Sequence, residues 1–408
     1  MSAPVNIDDI RTAAACMQGH VVHTPMLRSH TLAAMTGASE LWLKFENRQY
    51  TASFKERGAF NRLHALGEEE RRRGVIAMSA GNHAQGVAWH GGRQGIATTI
   101  VMPEATPFVK VDNTERLGAN VVLFGETVDD AATHAFEIAA RDGLVFIHPF
   151  DDPAIIAGQG TVALEMLETA PDLDMLVVPV GGGGLVSGIA IATHAISPKT
   201  RIIGIEAELY PAVRQTLGGQ AVIAGGSTVA DGIAVKKPGE LTLSIIREHV
   251  EDVVLVSEAE LERAIVDLLE IEKTVAEGAG AAGLAALIAD PARFAGKKVG
   301  LVISGGNIDS RLLSAVIIRG LVRTARLVRF AIAVPDSPGS LAAVTGAIAE
   351  ARGNVVDVAH HRAFSGRSVR EAVVDFTLET RNENHARAIS LHLEKRGFTI
   401  VARKQIED

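Results

Sequence analysis

The chain is nearly devoid of cysteine. Its one example, Cys16, excludes a disulfide framework and a multi-cysteine zinc site. Set in an apolar stretch, it is expected to pack as a small hydrophobe. An excess of basic charge is also missing. Forty Lys and Arg face 48 Asp and Glu, for a net charge of −8, so a phosphate backbone would be repelled and nucleic acid is not an expected partner. The run from Glu68 to Arg73 balances three acids with three bases and reads as a solvated helix end. Residues 1–11 lack the basic and apolar regions of a signal peptide. Met175 to Ser197 carries no charged residue and is long enough to span a bilayer. It holds Pro179, four consecutive glycines, Ser187 and His194, which suits a buried strand, a glycine turn and a buried helix instead. The expected location is therefore the cytoplasm, without a membrane partner. No short repeat or low-complexity segment is visible. What is present is a chain of 408 residues, 47% hydrophobic and 22% charged. That is the balance of a globular protein with two or three domains and a large core.

Short apolar runs alternate with helix-like stretches. They lie at Val75–Met78, Thr98–Met102, Asn120–Phe124, Leu144–Ile147, Met175–Val180, Ile202–Ile205 and Lys298–Ile303. Continuous apolar strands alternating with helices predict an α/β fold with a parallel sheet covered on both faces. The character changes after about Gly320. A strand from Leu327 to Val334 ends at Pro335 and a turn follows. Then come a helix from Ser340 to Ala351, a strand after Gly353-Asn354, a strand from about Val369 to Leu378, a helix from Glu383 to Lys395 and a strand from Phe398 to Ala402. This β-α-β-β-α-β order is the ferredoxin-like pattern, and its boundary falls between about 320 and 327.

Four segments carry chemistry. Ser53-Phe54-Lys55-Glu56-Arg57-Gly58 places a lysine at the opening of a predicted helix. Ser79-Ala80-Gly81-Asn82-His83 lies between a buried strand and a helix, where small residues expose backbone N–H groups that suit a carboxylate or phosphate. Gly181-Gly182-Gly183-Gly184-Leu185 lets the main chain wrap an anion at another helix start. Ser304-Gly305-Gly306-Asn307 follows a third strand. A lone lysine is usually a surface residue, and glycine turns after strands often serve packing alone. Together, however, the glycine-rich segments sit at the carboxyl ends of strands, where open α/β sheets bind ligands. The glycine run has neither the Lys-Ser/Thr ending of a P-loop nor the dinucleotide spacing. An amine nucleophile with a phosphate cup suggests pyridoxal phosphate held as a Schiff base.

On these motifs the sequence resembles the threonine dehydratase (threonine ammonia-lyase) family of fold-type-II pyridoxal-phosphate enzymes. Further matching stretches are His148-Pro149-Phe150-Asp151-Asp152-Pro153, Gly158-Gln159-Gly160-Thr161, Ala230 to Val235 and Glu277 to Ala282, and the resemblance covers about residues 20–320. The tail resembles an ACT domain through Asp336-x-Pro338-Gly339-x-Leu341 and Gly353-Asn354-Val355. The resemblance implies a tryptophan-synthase-β-like catalytic domain in two subdomains over 1–320, a linker at 321–327 and an ACT regulatory domain over 328–408.

The resemblance also assigns roles. Lys55 would hold the cofactor and act as the base, Phe54 would flank the ring, Asn82 would bond its 3′-oxygen, Gly181 to Gly184 with Leu185 would hold its phosphate, and Ser304 would face its ring nitrogen. Ser79, Ala80, Gly81, Asn82 and His83 would receive the substrate, a small amino acid. Asp336, Pro338, Gly339, Leu341 and Asn354 would bind an amino-acid effector, and the chain would form a homo-oligomer, a dimer or tetramer. The implied reaction converts L-threonine, and L-serine, to a keto acid and ammonia. Serine racemase and hydroxyaspartate dehydratase are the alternatives within the fold, and a non-catalytic amino-acid sensor is the alternative outside catalysis. Two departures stand out. Ala52 occupies a position that is glycine in many relatives, a mild change if the backbone there is ordinary. Tyr210 and Ala212 follow Glu206 where cation-binding relatives present other ligands. A metal is therefore left open, and Glu206 reads as a strand-end surface carboxylate.

Overall fold

The computed structural model describes residues 5–361 and 370–404. These residues fall into two compact units that divide between Ile308 and Asp309. In the first, the buried apolar runs become two sheets. The larger has six strands in the order Met26–Arg28, Glu40–Phe45, Lys298–Ile303, Met175–Pro179, Arg201–Ala207, Asp252–Val256. Only the first edge pair is antiparallel. The smaller is a parallel sheet of four strands, Asn120–Leu123, Thr98–Met102, Val75–Met78 and Val145–Phe146. The strands expected from apolar runs are all present. Glu40–Phe45 and Asp252–Val256 add to the expected strands; in the first, Glu40 and Lys44 break the apolar pattern, and Lys44 is fully buried by ion pairing.

Three helices set the geometry of the strand ends. The helix Pro153–Thr169 begins with proline, and the Asp152 carboxylate caps it by accepting N–H bonds from Ala154 at 2.8 Å and Ile155 at 3.1 Å. On one side it meets the helix Lys55–His64. A Cβ at position 158 would lie 2.7 Å from the Gly58 Cα, so the two helices touch through bare backbone. On the other side it meets the helix Gly184–Ile196, where a Cβ at position 160 would come within 2.8 Å of Gly188 O. Packing both helices on one scaffold fixes Lys55, the first residue of one, relative to the glycine run that opens the other.

The same helices enclose a buried charge cluster. Arg57 forms a bidentate pair with Glu46 at 2.7 Å through both Nε and Nη2, and a second with Glu165 at 2.6 and 2.9 Å. Thr161 Oγ1 accepts from Arg57 at 3.0 Å, while Lys44 donates to Thr24 O at 2.6 Å and also bonds Glu165. Burial alone would push the Glu46 carboxyl up, but the Arg57 guanidinium and the Lys44 ammonium hold it down at about 2.

In the second unit the helix Ser310–Arg323 precedes a four-stranded antiparallel sheet, ordered Asn354–His361, Glu371–Glu379, Leu327–Pro335, Thr399–Lys404. Its core is built by Val328, Phe330, Ile332 and Val334 of one strand with Ala372, Val374, Phe376 and Leu378 of its neighbour, covered by the helices Ser340–Glu350 and Glu383–Lys395. Strict alternation of buried and half-buried residues on both strands gives this sheet one apolar face. The helix Ser310–Arg323 runs through the start of the expected linker. The strand expected from about Val369 begins at a residue outside the described ones.

Candidate active site

Four strand ends converge on Lys55. Its amine donates to Pro149 O at 2.8 Å, in the loop after Val145–Phe146, and stands 5.3 Å from the Phe54 ring centroid. Burial lowers its value from 10.5 to about 8, and the Glu277 charge pulls the other way. An ordinary lysine is about one-thousandth neutral at pH 7.5, and one at about 8 is roughly a quarter neutral, so burial here makes a usable nucleophile. The next residue of that loop, Phe150, packs against Gly182, where a Cβ would collide with its ring, and against Gly184, where one would lie a tight 3.1 Å away. The lysine loop and the glycine loop are thus one residue apart through Pro149 and Phe150.

The glycine run meets the needs of an anion. Gly183 takes φ +94° and precedes the 13-residue helix Gly184–Ile196. Among the described residues, the N–H groups of Gly182 to Leu185 have no acceptor. Unpaired amides at a helix start hold phosphate through both hydrogen bonding and the helix dipole. The loop is braced from behind. Thr242 Oγ1 donates to Gly182 O at 2.7 Å, and Asp151 accepts from the N–H groups of Glu240 at 3.0 Å and Thr242 at 3.1 Å. His148 Nδ1 accepts from Asp151 N at 2.7 Å. The sequence assigns no role to Asp151, Thr242 or His148; only the motif around Pro149 hints at the first and last.

The turn Ser79-Ala80-Gly81 opens the helix Asn82–Arg93. A Cβ on Gly81 would meet nothing within 4 Å, so the turn faces open space. Ser79 Oγ is turned back to accept Gly81 N–H at 3.2 Å. The His83 ring is buried and lies 2.9 Å from Ile147 O, and burial with the nearby Lys55 charge pushes it down to about 3. A neutral, anchored imidazole leaves its helix-start N–H, not its ring, to meet a carboxylate. Asn82 bonds Glu277 and Asn307, each at 2.7 Å. Ser304 is buried at the end of Lys298–Ile303, and its carbonyl accepts Phe54 N–H at 3.0 Å. A half-buried nucleophilic amine, unpaired amides for a phosphate and an aromatic ring beside the amine fit pyridoxal phosphate.

One expectation is overturned, and the condition attached to another is not met. Glu206 is not a surface carboxylate. It is 1% exposed, and its oxygens accept N–H bonds from Val213 at 2.8 Å and Arg214 at 2.9 Å. Burial pushes it up to about 7 against the pull of those amides. Among the described residues no group of three His, Cys, Asp or Glu side chains is arranged for a metal ion. The backbone at Ala52 is not ordinary either. Its φ is +53°, in the left-handed region where a Cβ costs roughly 1–2 kcal/mol. Ala52→Gly is expected to raise stability by about 0.5–1 kcal/mol, part of the relief being offset by the greater freedom of glycine when unfolded. Denaturant titration checks this; a lowered midpoint would show that the turn is unstrained.

In the second unit, Gly339 at φ +89° precedes the helix Ser340–Glu350, Leu341 is exposed, and Asp336 N–H donates to Arg370 O at 2.9 Å. Asn354 Nδ2 donates to Glu379 at 3.0 Å, so this side chain is tied to the neighbouring strand.

Comparison with known proteins agrees with this geometry. A family model described as pyridoxal-phosphate dependent enzyme matches residues 17–305. An L-threonine ammonia-lyase of Thermotoga maritima is 44% identical over 97% of this chain and 99% of its own length. A catabolic L-threonine dehydratase of Escherichia coli K12 is 43% identical over 77% of this chain and 96% of its own. Among solved structures, the processed form of threonine deaminase isoform 2 from Solanum lycopersicum superposes with a TM-score of 0.72 at 36% identity, covering 76% of this chain and 86% of that one. Maize serine racemase superposes at 0.73 with 35% identity, covering 78% and 98%. With the family model matching well over half of its residues, the chain belongs to the pyridoxal-phosphate-dependent enzymes.

Proposed function

We propose that this enzyme is a threonine dehydratase, which removes water from L-threonine, and from L-serine, and releases the keto acid with ammonia. The observation that carries this reading is the half-buried Lys55 amine, one residue removed through Pro149 and Phe150 from a cup of unpaired amides. The cofactor, when bound, supplies an electron sink for charge developing at the substrate α-carbon. The chain supplies the rest. The N–H groups at the start of Asn82–Arg93 receive the substrate carboxylate. The Lys55 amine takes the α-proton, for which its low value suits it. Ser304 presents a neutral hydroxyl where an aspartate would strengthen the sink, and a weaker sink suits a reaction whose β-hydroxyl leaves promptly. Water is lost at the β-carbon and regained when the amino group is released, so L-threonine yields 2-oxobutanoate and ammonia, and L-serine pyruvate and ammonia.

The same proposal places the enzyme in the cytoplasm as a homo-oligomer, with a catalytic domain over 1–320, a linker at 321–327 and an ACT-like regulatory domain over 328–408. The N–H groups of Gly339 and Leu341, which have no acceptor among the described residues, would receive the carboxylate of an amino-acid effector. The test is a keto-acid assay on the full-length enzyme across L-threonine, L-serine and hydroxyaspartate, with and without branched-chain amino acids or excess threonine. Turnover fastest on hydroxyaspartate would reassign the substrate, and rates unmoved by every amino acid would leave the tail a structural domain.

The superposition on a serine racemase raises a second reading, which Ala80 argues against. Racemisation needs a proton donor or acceptor on each face of the planar carbanion. Lys55 serves one face. In racemases that this sequence resembles, the position of Ala80 is a serine, whose hydroxyl serves the other; here it is a methyl group. Ser79 is a poor replacement, because its oxygen is drawn back onto the Gly81 N–H of its own turn. From L-serine, pyruvate is expected to exceed D-serine by at least about tenfold, and Ala80→Ser to raise D-serine without loss of cofactor. D-serine formed by the unmodified enzyme at a rate comparable to pyruvate would defeat the one-face argument.

A further inference from the structure

We propose that Glu277 and Asn307 are positioning residues that lock the Asn82 side-chain amide in one orientation, its nitrogen serving as the donor to the cofactor's ring oxygen. The inference deepens the cofactor reading above and rests on it. An asparagine amide can turn over and exchange donor for acceptor, and only its neighbours decide which way it points. Here both ends of a hydrogen-bond chain make the same choice. Thr51 O can only accept, so the Asn307 amide must present its nitrogen there, at 2.7 Å. The second hydrogen of that nitrogen goes to Asn82 Oδ1, also at 2.7 Å. Asn82 Nδ2 is thereby the donor, and it meets Glu277 Oε1 at 2.7 Å. The ionised Glu277 carboxylate is acceptor-only, so in that form the far end agrees with the orientation that Thr51 O already fixes. One hydrogen of Asn82 Nδ2 remains for the cofactor.

Two independent features show that the carboxylate is directed to this task. Glu277 precedes the helix Gly278–Ala289, the place from which a side chain ordinarily caps the first N–H groups, yet it makes no capping bond. It also needs room that only small neighbours leave. A Cβ on Gly305 would collide with Glu277 Oε1 and lie 3.2 Å from Asn82 Nδ2, and one on Gly232 would lie 3.3 Å from the same oxygen. The backbone N–H of Glu277 donates to Gly305 O at 3.1 Å and fixes its stem. The charges facing Glu277 are Asp231, itself paired with Lys110 at 2.7 Å, and the Lys55 amine. Burial, reinforced by Asp231, pushes Glu277 up to about 7, which places its own titration within the range where the enzyme is handled.

The test uses the full-length, cofactor-loaded enzyme and reads the pH profile of its visible absorption band, with thermal melting alongside. Glu277→Ala and Asn307→Ala are each expected to move the profile's midpoint by at least about half a pH unit. Glu277→Gln, whose Oε1 still accepts, moves it less. In an Asn82→Ala background neither change has a further effect. Asn307→Ala removes no charge and decides the matter alone where the Glu277 variants fail to fold. A lowered melting temperature with an unmoved profile would overturn the proposal, as would an equal shift in the Asn82→Ala background. Absence of the visible band from the unmodified enzyme would instead overturn the cofactor reading, and the proposal with it.

Discussion

Lys55→Ala is expected to reduce turnover of L-threonine by more than about a thousandfold and to abolish the visible absorption of the covalently held cofactor. The size of the effect comes from one amine serving two roles, attachment and proton abstraction. Its surroundings are tuned to both. Burial brings the amine to about 8 while Pro149 O, at 2.8 Å, fixes its direction. Lys55→Arg is expected to fail nearly as completely, because a guanidinium stays charged at any working pH and is not a nucleophile. The check is keto-acid release together with the absorption spectrum. Turnover within tenfold of the unmodified enzyme would remove Lys55 from the mechanism.

The second large effect is on stability. Arg57→Met should destabilise the first unit by about 3–5 kcal/mol, because it leaves the buried Glu46 and the half-buried Glu165 sharing Lys44 without their guanidinium partner. Arg57→Lys should cost less, since it keeps the charge while losing the two bidentate contacts. The pH dependence has a definite sign. Glu46 is held at about 2 in the folded state against an ordinary 4.5. A depressed carboxylate contributes stability that is fully present above 4.5 and is lost as pH falls toward 2. Arg57→Met removes the main cause of the depression, so the loss of stability between pH 4.5 and 2 should be shallower in the variant. Urea unfolding at pH 7 and at pH 3.5 measures both. A loss below about 1 kcal/mol at pH 7 would mean that the cluster is not a structural element.

Much was legible in the sequence by itself. Apolar runs between glycine turns marked the parallel strands, since a strand buried on both faces leaves no room for alternation. The β-α-β-β-α-β order of the tail was visible for the opposite reason, because its sheet has one covered face and its alternation is clean. The lysine, the glycine cup and the family followed from short local motifs, in which one residue type does one kind of chemistry.

What only the tertiary structure decided was how distant residues act on one another. Glu40–Phe45 was missed as a strand because Lys44 breaks its apolar run, and that lysine is buried only by partners as far away in sequence as Glu165. The strain at Ala52 depends on a φ that no composition reveals. Glu206 has the sequence setting of a strand-end surface residue, and it is the start of Ala212–Leu217, folded onto it, that buries the carboxylate. Glu277 lies 195 positions from Asn82, yet its carboxylate sets that amide's direction. Local propensity and periodicity act over a few residues of chain. Burial, charge pairing and hydrogen-bond direction are set by whatever the fold brings within about 3 Å, and sequence separation carries no record of that distance.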